Sequence, residues 1–275
     1  MVKLSAFADE ISPDLKEQMD ALEKEDIHHI ELRGVWNKGV LKLTDRELDM
    51  IAGALDRRGF KISSIGSPIG KVRITDDFDA HLKDFKRALK IARFFGTEYI
   101  RVFSFFIPGG DDPTLYRDEV MTRLKVMTEM AQEKGIILLH ENEKEIYGDT
   151  GERCKDILDT VASPFLRATF DPANFVQVGL KPYRDCFTRL KNKVEYVHIK
   201  DALLSDGRVV PAGEGDGDVR QILTELIERG YTGFLSLEPH LEIAGRSGGF
   251  TGPEAFAGAS RALKAILNEI GVEYR

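Results

Sequence analysis

Glu141, Asp171, His198 and Glu238 are side chains that hold divalent ions or move protons, and successive pairs are 30, 27 and 40 residues apart. Each closes a short apolar run: "IILLHEN", "FLRATFD", "VEYVHIK" and "GFLSLEP". Strand residues alternate faces. In these runs Ile136 and Leu138, then Leu166, Ala168 and Phe170, then Val197 and Ile199, then Leu235 and Leu237 take one face. Ile137, Leu139, Glu141, Thr169, Asp171, Tyr196, His198, Lys200, Ser236 and Glu238 take the other. Three converging carboxylates repel unless they are protonated or held by a cation. With one imidazole among them they make an oxygen-rich, mixed-ligand site. That chemistry suits one divalent metal, Mn²⁺ or Mg²⁺ first, with Co²⁺ or Zn²⁺ as further candidates.

Other polar residues fall near the same end. Lys200, two residues past His198, can bind a substrate hydroxyl, carboxylate or phosphate, or close an ion pair at the rim. His240 continues the inward face beyond Glu238. Arg33, Trp36 and Lys71 follow the second and third strands and are expected to line the mouth. Arg101 and Glu31 also face inward and are expected to pair with each other. His29 and His140 read as structural, His140 lying on the face opposite Glu141.

The elements that must position these groups alternate regularly. The strands "VKLSAFA", "HHIELRG", "FKISSIG" and "EYIRVFSF" precede the four runs above. Between them lie helical stretches at 12–25, 44–59, 77–95, 113–134, 150–161, 174–191, 217–229 and 253–270. Ser12 and Pro13 read as N-cap and first residue of the first helix. Thr44 and Glu47 form a capping-box pattern, and Gly59, Gly96 and Gly135 read as helix stops. Eight strand–helix units imply parallel strands with helical crossovers. The expected fold is α/β, a single (β/α)8 TIM barrel over residues 1–275, with a doubly wound open sheet as the alternative. Barrel chemistry sits at the C-terminal ends of the strands, where all four ligand-type residues fall. The Gly-rich stretch "SDGRVVPAGEGDGD" is a loop after the seventh strand. It lacks the Lys-Ser or Lys-Thr of a phosphate loop.

The composition excludes several classes. Thirty-nine basic against 46 acidic residues leave a net charge of −7, which argues against nucleic-acid or anionic-membrane partners. No apolar run reaches the ~20 residues of a membrane span. "MVKLSAFADE" has no apolar core or cleavage site of a signal peptide. Cys154 and Cys186 have no metal or redox spacing and read as thiols of a reducing cytoplasm, so the expected location is cytoplasmic.

The motifs "LLHENE", "TFDPANF", "EYVHIKDA", "GEGDGD" and "LSLEPH", in this order, resemble the xylose isomerase-like TIM barrels of the sugar phosphate isomerase/epimerase superfamily. The resemblance covers essentially the whole chain. It implies a Glu, an Asp, a His and a second Glu on one divalent metal, which are Glu141, Asp171, His198 and Glu238 here. Many members carry His three residues after the Asp ligand, and Asn174 stands there, at a position that helps hold substrate. Ketose epimerases often carry Arg six residues after the His ligand, where this chain has Leu204. The cousin endonuclease IV-type enzymes hold three zinc ions with many more His and carboxylate ligands, and this chain has six His.

The resemblance implies a small-molecule, carbohydrate-like substrate. Relatives are often dimers or tetramers, so a second copy of the chain is a further partner it allows. A metal on a carbonyl oxygen and its neighbouring hydroxyl acidifies the C–H between them. Glu141 and Glu238 are the expected acid/bases on the resulting metal-stabilised enediolate. The expected activity is that of a metal-dependent isomerase or epimerase of a sugar, sugar phosphate or polyol derivative. The alternatives are a dehydratase or lyase on a keto-polyol, and a barrel that binds sugar or metal without turnover.

Overall fold

The computed structural model describes residues 1–241 and 251–275. Eight strands close into a parallel barrel: β1 Lys3–Ala6, β2 His29–Leu32, β3 Lys61–Ile69, β4 Tyr99–Val102, β5 Ile137–Glu141, β6 Leu166–Phe170, β7 Val194–Ile199 and β8 Phe234–Leu237. Each pairs with the next in order. β8 closes on β1 in a register from Lys3–Phe234 to Ala6–Leu237. The main helices are α1 Leu15–Lys24, α2 Asp45–Arg58, α3 Phe78–Phe95, α4 Arg117–Gln132, α5 Gly151–Val161, α6 Pro172–Gln177, α7 Val219–Glu228 and α8 Pro253–Glu269, and a π-helical segment Pro182–Phe187 runs into a short helix Thr188–Leu190 after α6. This is the expected (β/α)8 TIM barrel.

Two kinds of core follow from the strand alternation. Ile30, Leu32, Ile100, Val102, Leu138, Leu166, Phe170, Val197, Ile199, Leu235 and Leu237 pack outward, against helix residues such as Leu22, Ile51, Phe85, Leu124, Ile157, Leu223 and Leu263. Each such side chain contributes about 1.5–3 kcal/mol by leaving water. The inward face is polar to an unusual degree. Ser5, Glu31, Ser63, Arg101, Glu141, Thr169, His198 and Ser236 are all buried there. Below the mouth Tyr196 Oη lies 2.9 Å from Ser63 Oγ, which is 2.6 Å from Ser5 Oγ, so these three hydroxyls satisfy one another.

The helix ends follow the sequence with one shift. Thr44 and Glu47 form the reciprocal capping box, and Gly59 (φ 70°) and Gly96 (φ 68°) end their helices in the left-handed conformation. The first helix begins later than expected. Asp14, not Ser12, is its N-cap and accepts from Glu17 N at 3.0 Å, while Ser12 Oγ accepts from Asp14 N at 3.1 Å and so braces the turn before it. β3 runs on to Ile69 where the sequence suggested an end at Gly66. Gly70 follows at φ +89°, and a Cβ there would collide with the Phe103 carbonyl, so the chain needs glycine where β3 meets the end of β4.

Candidate metal centre

The four ligand-type residues converge. Glu141 ends β5, Asp171 follows β6, His198 lies in β7 and Glu238 follows β8. One ligand atom from each lies within 4.8 Å of the others, and all four residues are buried. His198 Nδ1 is 3.2 Å from Glu141 Oε1 and 3.4 Å from Glu238 Oε2. Register explains the meeting: Ser236 in β8 pairs with His198, so Glu238 projects just above the imidazole.

Secondary contacts hold the carboxylates in place. Asp171 Oδ1 caps α6 by accepting from Asn174 N at 3.0 Å, while its Oδ2 faces Lys200 Nζ at 2.7 Å. Asn174 Nδ2 donates to Glu141 Oε1 at 3.2 Å and to the Asn142 carbonyl at 2.9 Å. Asn142 in turn exchanges hydrogen bonds with the Asp171 backbone at 2.9 and 3.0 Å. Asn174 therefore braces two members of the cluster.

Arg101 departs from the sequence expectation. Its Nη1 lies 3.1 Å from Glu141 Oε2 and 3.7 Å from Glu238 Oε1, and its other donors reach the Gly66 and Ser67 carbonyls. Glu31, the partner expected for it, pairs instead with His198 Nε2 at 3.2 Å. Lys200 also differs from a rim ion pair. It is 5% exposed and reaches both Asp171 and Glu238, the latter at 3.5 Å.

Electrostatics keeps the glutamates ionised. Burial pushes Glu141 and Glu238 up, but neighbouring cations outweigh it. His198 and Arg101 bring Glu141 down to about 2, and Lys200, His240, His198 and Arg101 hold Glu238 well below the usual range. Burial pushes Asp171 up to about 6 against the pull of Lys200, which leaves it charged at neutral pH. Burial would lower His198, yet Glu141 and Glu31 raise it to about 10.

The remaining expected residues separate. Arg33 joins the cluster: Nη1 is 3.0 Å from Glu238 Oε1, Nε is 2.8 Å from Asp9 Oδ2, and the guanidinium lies 4.6 Å from the Phe7 ring centre. His240 joins it too, with Nε2 3.0 Å from Glu10 Oε1 and 3.5 Å from Glu238 Oε1. Lys71 sits farther out, 2.9 Å from Glu143 Oε2 and over the Phe103 ring at 4.4 Å. Trp36 packs half-buried against the apolar core, and its backbone N donates to the Pro13 carbonyl at 2.6 Å. His140 is buried and held neutral, its pKa lowered by burial to about 4.

Sequence reasoning missed Glu10 and Asp201. Glu10 ends a short 3-10 turn after β1 and accepts from His240 N at 2.8 Å and Thr251 Oγ1 at 2.9 Å. Asp201 organises the Gly-rich loop. Its Oδ1 accepts from Ala202 N and Gly217 N, both at 2.8 Å, and its Oδ2 from Gly213 N at 2.9 Å and Gly215 N at 3.1 Å. A Cβ at Gly215 or Gly217 would collide with that carboxylate, which gives the G-x-G spacing of "GEGDGD" a physical reason. Leu204, in the same loop, is exposed.

Both cysteines are free and buried. Among the described residues no helix is long and apolar enough to cross a membrane.

The donor set fits a divalent ion. Three carboxylates and one imidazole are hard and borderline ligands respectively. Among the described residues both ring nitrogens of the buried His198 face carboxylate oxygens, Nδ1 3.2 Å from Glu141 and Nε2 3.2 Å from Glu31, and neither makes a hydrogen bond of good geometry. Asp171 Oδ2 is likewise without a hydrogen bond of good geometry, and an ion held by the cluster would satisfy it together with Nδ1.

Solved structures share this architecture along their full length. A xylose isomerase-like TIM barrel protein from Mycobacterium smegmatis in complex with magnesium is 18% identical, with TM-score 0.73, covering 98% of this chain and 97% of its own. A D-tagatose 3-epimerase-like protein is 19% identical, with TM-score 0.77 and 98% of both chains covered. The probable 3-DHS dehydratase AsbF from Bacillus anthracis is 17% identical, with TM-score 0.73, covering 96% of this chain and 98% of its own. No curated protein sequence matches the chain. The profile of the xylose isomerase-like TIM barrel family matches residues 19–266, which includes every member of the buried cluster. The chain therefore belongs to the xylose isomerase-like TIM barrel family.

Proposed function

We propose that the chain is a divalent-metal-dependent isomerase or epimerase of a small sugar, sugar phosphate or polyol derivative. One observation carries the reading: two glutamates from non-adjacent strands flank a buried imidazole and a third carboxylate. Glu141, Asp171, His198 and Glu238 are the residues that would hold the ion. When bound, a divalent ion supplies Lewis-acid polarisation of a substrate carbonyl and its neighbouring hydroxyl.

The chain's own groups supply the proton chemistry. Glu141 and Glu238 are anions at neutral pH and can accept a proton from a substrate C–H. They reach the mouth from β5 and β8, so one can take a proton and the other can return it on the opposite side of the substrate. That arrangement suits inversion at a carbon. One glutamate moving a proton between adjacent carbons would serve aldose–ketose isomerisation. Arg101 bridges the two carboxylates and limits their mutual repulsion. Lys200, Arg33 and His240 line the same end and can hold substrate hydroxyls or an acidic group.

The magnesium complex and the epimerase-like neighbour support this reading as relatives in fold. Loss of a leaving group β to the carbonyl would make the same proton abstraction a dehydration. The dehydratase neighbour is the observation on that side.

The test is proton NMR in D₂O with ketoses, keto-inositols, hydroxypyruvate and sugar phosphates on Mg²⁺-loaded protein. Wild type is expected to wash deuterium into one carbon next to the carbonyl. Glu141→Gln and Glu238→Gln are expected to lose at least ~10²-fold in exchange rate. Near-wild-type exchange in either variant would sink the two-glutamate mechanism. The product then separates epimerase, isomerase and dehydratase.

A further inference from the structure

Glu31 stands on the inward face of β2, fully buried and outside the four-residue cluster. Among the described residues its one ionic contact is with His198 Nε2, at 3.2 Å. The opposite ring nitrogen, Nδ1, faces Glu141 and Glu238. The imidazole therefore spans the barrel axis from a carboxylate below to the ligand cluster above. Phe7 and Tyr196 confine the ring edge-on, at centroid distances of 5.1 and 5.9 Å.

An ionised carboxylate only accepts hydrogen bonds. The Glu31 oxygen 3.2 Å from Nε2, close but short of good hydrogen-bond alignment, is an acceptor that favours the proton on Nε2, and a neutral His198 then presents its Nδ1 lone pair to the cluster. We propose that Glu31 is the positioning residue that fixes His198 in its Nε2–H tautomer and aims Nδ1 at the metal. The inference rests on the metal reading given above and extends it to a residue from the other half of the barrel. Carboxylate–histidine–metal arrangements of this kind typically change metal affinity ~10–100-fold when the outer carboxylate is lost.

The experiment uses full-length protein with Zn²⁺ alone, a diamagnetic probe. Long-range ¹H–¹⁵N correlation on histidine-labelled protein reads the tautomer, and competition with a chromophoric chelator reads the affinity. Wild type is expected to show His198 protonated at Nε2 with Nδ1 on the metal. Glu31→Leu, which has no acceptor, is expected to weaken Zn²⁺ binding by roughly 10–100-fold and to shift the His198 Nε2–H resonance. Glu31→Gln keeps the shape and one acceptor oxygen, so it is expected to fold and to fall between the two. That intermediate rescue separates positioning from a general loss of core structure.

Unchanged affinity and an unchanged His198 spectrum in a folded Glu31→Gln or Glu31→Leu protein would overturn the inference and leave the sugar chemistry untouched. Zinc bound with the expected tautomer, but with no deuterium exchange on any substrate, would sink the sugar chemistry and leave Glu31 in its role. A wild type that binds no zinc would overturn both.

Discussion

Asp201→Asn changes one atom of the carboxylate that holds the loop after β7. Asp201 accepts four backbone N–H groups at 2.8–3.1 Å, two on each oxygen. An asparagine side chain has one acceptor oxygen, and its amide nitrogen can only donate. If the oxygen stays with Ala202 and Gly217, the amide faces the N–H groups of Gly213 and Gly215, and both bonds are lost. Hydrogen bonds to a charged group contribute about 1.5–3 kcal/mol each, so the loss is about 3–6 kcal/mol. Gly213 N and Gly215 N are only part-buried and can recruit water, which puts the outcome near the lower figure. Urea titration should show that loss, and the melting temperature should fall by on the order of 10 °C for a domain of this size. Asp201 follows Lys200 directly, so exchange activity should fall with the loop, while metal affinity should fall less. A midpoint equivalent to less than ~1 kcal/mol below wild type would refute the idea that one carboxylate organises the Gly-rich loop.

Two further outcomes follow from the same geometry. Gly70→Ala places a Cβ against the Phe103 carbonyl at a φ of +89°, and should cost at least ~2 kcal/mol in chemical denaturation; a near-neutral result would mean that the β3–β4 junction moves freely. Metal binding should release a proton, because Glu141 and Glu31 hold His198 protonated with its pKa raised to about 10, whereas a ligand nitrogen must be bare. The apparent metal affinity should therefore rise about tenfold per pH unit between pH 7 and 9, with heats that depend on buffer ionisation in calorimetry; a flat profile would contradict the assignment of His198 as a ligand.

Much of the site is legible in the sequence because a strand has a period of two. Alternation alone assigns Glu141, Asp171, His198 and Glu238 to one face, and the structure brings them within 4.8 Å. Alternation does not say who meets whom across the barrel, because that depends on stagger. Arg101 and Glu31 share the inward face, yet Arg101 reaches up to Glu141 and Glu31 sits beneath His198. Glu10 carries no periodic signal: it lies in a 3-10 turn and reaches the site through contacts with His240 and Thr251, more than 200 residues away. The first helix shows a local limit. Ser12 and Asp14 are both good caps, and only the path of the turn decides that Asp14 takes the Glu17 amide while Ser12 supports it.

Glu238 stands just past β8, the strand whose pairing with β1 seals the barrel. A polypeptide folding in the order of its synthesis has Glu141, Asp171 and His198 in hand while the seam is still open, and the fourth carboxylate arrives with the strand that shuts it. An ion held by all four therefore discriminates between the sealed and the unsealed barrel. At a hundred times its dissociation constant it would add about 2.7 kcal/mol to the work of peeling β8 away. The metal would then act as a clasp on the seam as well as a reagent, and cellular metal supply would set how long a newly made barrel stays shut.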